Sequence, residues 1–131
     1  MITDPDNPAH WLLLARDRLE KADALCERFG ASWSGIELLH EAAERFLKAF
    51  LIHHRWGLVK THDLSRLLAE AFQFDNRFDR FTEMTQSLTE QFWEQHYPGG
   101  DLDEVGHDYP ALRQSLGEMV QIIEATIQSP N

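Results

Sequence analysis

Residues 37–68 constrain the fold of this chain more than any other stretch. Leu39, Ala42, Phe46, Ala49 and Phe50 recur at intervals of three and four, which sets them on one side of a helix. Glu37, Glu41, Glu44, Arg45 and Lys48 occupy the remainder, so the pattern predicts a core helix with a charged, solvated back. A helix of this kind needs partners over its apolar side. A short hinge follows, gathering Arg55, Lys60, His62 and Asp63 beside Gly57, which can end a helix, and Thr61, which can start one.

The rest of the chain supplies the partners. Asn7-Pro8 opens a first helix, in which Trp11, Leu12, Ala15, Leu19, Ala22, Cys26 and Phe29 keep helical spacing before Gly30 stops it. Ser32 or Ser34 caps the central helix, which is expected to run to about Trp56. A shorter helix from Thr61 or His62 carries Leu64, Leu67, Leu68, Ala71 and Phe72, and residues 74–77 compose as a turn. A fourth helix bears Phe78, Phe81, Met84, Leu88 and Phe92, and His96-Tyr97-Pro98-Gly99-Gly100 breaks it. A loop is expected over residues 100–107, then a last helix capped by Asp108, with Leu112, Leu116, Met119, Ile123 and Ile127 as its stripe.

These elements predict an all-α fold: an antiparallel up-and-down bundle of four long helices with a short extra helix between the second and fourth. One domain is expected over residues 1–131, with 1–7 as an N-terminal extension and 129–131 as a tail. No alternating segment is long enough to be a strand. Apolar width beyond one stripe, at Leu13, Leu14, Leu38, Phe50, Leu51, Trp56 and Trp93, predicts a homodimer that buries faces of the first or second helix.

Charge narrows the function classes. Twelve Lys and Arg against twenty-two Asp and Glu give a formal charge of -10, which repels phosphate backbones at long range. DNA binding is not expected, and any nucleotide or RNA must meet a local basic patch. The single cysteine, Cys26, excludes an internal disulfide, and the opening residues carry neither a basic start nor a long apolar run, so a cytoplasmic location and no membrane contact are expected.

The run Glu41-Ala-Ala-Glu-Arg-Phe-Leu-Lys-Ala-Phe-Leu, followed by Lys60-Thr-His-Asp-Leu and later by His96-Tyr97-Pro98, resembles the HEPN family of small all-α domains. The resemblance spans nearly the whole chain. It implies a four- or five-helix bundle, commonly dimeric, from prokaryotic cytoplasm, often paired as toxin and antitoxin with a minimal nucleotidyltransferase or proposed to bind nucleotides. Many members of that family are metal-independent ribonucleases whose motif is an arginine followed, some positions on, by a histidine late in the chain. Here His96 stands where relatives often carry arginine, Leu102 stands five positions before His107, and the one numerical match, Arg55 to His62, lies in the hinge.

Two chemical readings follow for the hinge. His62 can act as a general acid or base, since a free imidazole titrates near pH 6.5, with Arg55 or Lys60 stabilising anionic charge. Alternatively, His62 and Asp63 cap the third helix, whose N-terminus also attracts phosphate. The expected phosphate or nucleotide contacts are Lys48, Arg55, Lys60, His62, Asp63, His96 and Tyr97, and the expected catalytic pair, if the chain is a ribonuclease, is Arg55 and His62. A metal-binding bundle is the remaining alternative, because Glu37-Leu-Leu-His40 has the Glu-x-x-His spacing of di-iron bundles, but one helical copy is too few. No cofactor and no metal are expected. The leading expectation is a non-catalytic interaction or nucleotide-associated module.

Overall fold

The second helix is hydrophobic along most of its circumference, and the other elements wrap it. The computed structural model describes residues 1–95 and 98–128. It contains α1 (Pro8–Phe29), α2 (Trp33–His53), α3 (Leu64–Phe74), a 3₁₀ segment (Asn76–Phe81), α4 (Thr82–Glu94) and α5 (Leu102–Gln128). Helix α1 packs along α2, while α3, α4 and α5 also contact it. No strand occurs among the described residues. The all-α bundle with a short inserted helix is therefore observed.

Local chemistry sets most boundaries as expected. The Asn7 side chain accepts a hydrogen bond from the Ala9 amide with Pro8 at the first turn, Ser32 caps α2 through the Gly35 amide, and Asp63 caps α3 through the amides of Ser65 and Arg66. The extension before α1 is tied down, since the Trp11 indole donates to the Pro5 carbonyl at 2.7 Å. Gly35 is required by a close approach: a Cβ there would sit 3.0 Å from the Tyr109 ring of α5.

Helix α3 begins at Leu64 and not at Thr61 or His62, because Asp63 takes the cap, and three further boundaries differ from expectation. Helix α2 ends at His53, three residues before Trp56. The Arg55 amide bonds to the Ile52 carbonyl and the Trp56 amide reaches back to Leu51, which is a Schellman closure with Arg55, φ 64°, in the left-handed position normally given to glycine. Gly57, the expected stop, lies two residues beyond this position. Arg55→Gly is accordingly expected to stabilise the fold by roughly 1 kcal/mol, seen as a higher urea midpoint at unchanged m value.

The second difference is the turn at 74–77, which is the start of the 3₁₀ segment. Asp75 caps it through the Arg77 amide, and Phe78 and Phe81 are buried beneath it. The third is the expected loop over 100–107, which is helical from Leu102, so Asp108 lies inside α5 instead of capping it. Asp101 supplies the side-chain oxygen for the Asp103 amide at 2.9 Å. Pro110 removes one rung of the ladder, and burial of Val105 and Tyr109 on either side of Gly106 offsets the loss.

The expected solvated back of α2 is also corrected. Glu44 and Lys48 are buried at 8% and 4% exposure: the hinge and α4 close over Glu44, and Lys48 lies against Trp11 of α1. The apolar width of α2 is consumed inside the chain, with Phe50 and Leu51 fully buried and Leu38 packed against the core. On α1, by contrast, Leu13 and Leu14 remain exposed.

Two hollows result. A groove of about 870 Å³ runs between α1 and α5, lined by Leu19, Cys26, Tyr109 and Arg113. Within it Arg113 pairs with Asp23 at 2.7 Å, and Arg16 and Glu124 form a second ion pair between the same two helices at 3.0 Å. Burial first, then the negative charge of Cys26 and Asp23, pushes the Tyr109 phenol up to about 12 from 10.0. Because the folded phenol holds its proton more tightly than the unfolded one, its contribution is present below pH 10 and is lost as pH rises towards 12. Two pKa units correspond to about 2.7 kcal/mol at most. Urea titrations from pH 9 to 12 are expected to show a steeper alkaline loss for the native chain than for Tyr109→Phe.

Candidate functional site

The second hollow, about 720 Å³, lies between α2, the hinge before α3, and α4. Helix α2 contributes Glu37, His40, Glu41 and Glu44, the hinge contributes Thr61, His62 and Asp63, and α4 contributes Thr89, Phe92 and Trp93. On α2, His40, Glu44 and Lys48 form one row at intervals of four, flanked by the buried Ile36 and Ile52. A polar row set into a buried face needs internal partners.

Those partners are present. The Glu44 carboxylate accepts from the Lys48 ammonium at 2.9 Å and from the His62 imidazole Nδ1 at 2.9 Å. Lys48 also lies 5.4 Å from the centre of the Trp11 ring. The His62 side chain is 87% exposed whereas that of Glu44 is 11% exposed, so the ring stands at the rim with Nδ1 turned inward. With Nδ1–H donating to a carboxylate, the tautomer that leaves Nε2 as an acceptor is the one favoured.

His40 sits deeper, at 6% exposure, with its ring stacked on Phe92 at 4.6 Å. Burial is the main force lowering its pKa below the usual imidazole value, with nearby His62 adding to that and Glu44 and Glu41 opposing it. Its ring is therefore neutral at pH 7. Glu41 forms ion pairs with Arg18 at 3.0 Å and with Arg45 at 3.8 Å, both partners lying outside the lining.

The sequence-derived site residues are dispersed. His62 and Asp63 border the cavity, and Asp63 is the α3 cap. Lys48 does not line it and is spent on Glu44. Arg55 is exposed at the helix closure and Lys60 is exposed in the hinge, and neither lines the cavity. His96 and Tyr97 fall outside the described residues. Of the tryptophans, Trp33 and Trp56 pack against the core, whereas Trp93 is 62% exposed at the cavity. Neighbouring His53 and His54 meet edge to face at 5.2 Å, away from the cavity lining: His53 is exposed and His54 stacks on Phe74 at 4.7 Å.

Glu44 and His40 were missed as functional residues. Their signal is the spacing of four, His40-x-x-x-Glu44-x-x-x-Lys48, between apolar neighbours on a helix too hydrophobic to have a wide wet face. Glu37 and His40 both line the cavity, yet no group of three or more His, Cys, Asp or Glu is placed to hold a metal ion among the described residues. Among those residues, too, no helix is long and apolar enough to cross a membrane.

A carboxylate behind an exposed imidazole is half of a general acid–base site. The other half for phosphodiester chemistry, a cation facing the same space, is not supplied by the described lining, which holds neither Lys nor Arg. Residues 9–128 match the family described as HEPN domain. No curated protein and no solved structure gives a significant match.

Proposed function

The chain belongs to the HEPN domain family, and from that premise we propose that it is a non-catalytic member that works by binding at the cavity bordered by His62. The observation that carries this reading is the composition of the described lining: four carboxylates and two imidazoles, with no Lys or Arg. Cleavage of RNA without a metal passes through an anionic transition state, and carboxylates facing that charge raise the barrier instead of lowering it. A nucleotide or RNA would have to rest its phosphates on Arg55 or Lys60, outside this space.

The Glu44–His62 pair favours the competing reading, a ribonuclease with His62 as general acid or base, enough to make it the test. Incubation of the purified chain with RNA in EDTA is expected to give no cleavage beyond that of His62→Ala. Because His62 is exposed, that variant keeps its helical circular dichroism. Cleavage by the native chain that disappears in the folded variant overturns the proposal.

Two further parts rest on less. A role in a toxin–antitoxin pair, with a minimal nucleotidyltransferase as partner in prokaryotic cytoplasm, is supported by the family resemblance of the sequence, and co-purification of the two gene products from a common operon tests it. A homodimer is supported by Leu13 and Leu14, adjacent and exposed on α1. Light scattering at micromolar concentration tests that.

A further inference from the structure

We propose that the cavity between α2 and α4 binds an organic cation, a guanidinium or primary ammonium group on a slender chain, held between the Glu37 and Asp63 carboxylates and the Phe92 and Trp93 rings. The inference rests on the reading of this cavity as a binding site and names what it takes.

The charges around the cavity do not cancel. Glu44 is matched by Lys48, and Glu41 by Arg18 and Arg45. Glu37 and Asp63 have no ion-pair partner among the described residues, and Asp63 only caps α3 through backbone amides. Two carboxylates therefore face the cavity without a cation, inside a chain whose formal charge is already -10. An anionic ligand is repelled there, while a cation finds both local charge and a favourable long-range field.

A second observation, independent of the acids, points to a ligand. His40 is 94% buried, lines the cavity, and has no hydrogen-bond partner for its ring nitrogens among the described residues. Its nitrogens are not sealed by neighbouring atoms and so stay accessible to a donor. Since it is held neutral by burial, it places no positive charge against an incoming cation, and it can accept an N–H bond from it. The aromatic walls complete the fit, because ring faces attract guanidinium and ammonium groups most strongly where water is thinned. Phe92 is already ordered by stacking on His40, with the Trp93 ring nearly perpendicular to it at 5.5 Å.

Titration of the full chain with agmatine, followed by calorimetry and tryptophan fluorescence, is expected to show saturable one-site binding that weakens with added salt. Glu37→Gln and Trp93→Ala, both at exposed positions, are each expected to weaken it about tenfold while leaving the thermal unfolding curve in place. Comparing agmatine with N-acetylarginine amide separates a free amine, for which agmatine binds better, from an arginine presented by a protein, for which the capped residue does. Absence of saturable binding to the native chain, binding indifferent to both substitutions, or tighter binding of AMP than of agmatine overturns the inference. RNA cleavage in the earlier assay would instead remove the non-catalytic reading, so the two failures are distinct.

Discussion

Glu44→Ala is expected to lower the unfolding free energy by about 3–5 kcal/mol, because it strands the Lys48 ammonium without a counter-charge at 4% exposure. The loss comes mainly from the charge left behind. An ammonium removed from water is tolerable only while a carboxylate 2.9 Å away and the Trp11 face compensate it. The double variant Glu44→Leu with Lys48→Met, which removes both charges and keeps apolar volume, is therefore expected to recover most of the loss. Urea unfolding of the single and double variants gives the comparison. Equal destabilisation in both would show that shape, not charge, is what the pair provides.

Phe50→Ala is expected to be as damaging, at about 3–5 kcal/mol. Phe50 is fully buried and joins three elements: its ring lies 4.6 Å from Phe78 of the 3₁₀ segment and 4.6 Å from His54 at the closure of α2. Removing it opens a cavity where helix, closure and 3₁₀ segment meet, and neighbours ordered by one another have little freedom to collapse into it. Phe50→Leu, which retains most of the volume, is expected to lose less than half as much. Urea midpoints of the two variants at constant m value test this, and a reduced m value for Phe50→Ala would mean that the 3₁₀ segment alone has come loose.

The helical pattern was legible because burial on one side of a helix writes itself into intervals of three and four, and caps such as Asn7, Ser32 and Asp63 act locally. What escaped was decided by tertiary contact. Arg55 in a left-handed conformation is held there by the closure around it, not by its own preference. Residues 100–107 read as a loop and Asp108 as the next cap, and burial of Val105 and Tyr109 carries the helix through both. At the candidate site, His62 and Asp63 were visible through the hinge motif, but the burial of Glu44 depends on α4 and the hinge folding over α2, and that of Lys48 on Trp11 of α1, pairings that residues on α2 cannot announce by themselves.

Helix α2 touches α1, α3, α4 and α5, so the four other helices lean on the same rod. Loss of any one of these four helices uncovers part of the rod on which the other three rest. A ligand seated against one side of α2 consequently stabilises the entire molecule, and its grip is felt at the far ends of the bundle without any change of shape.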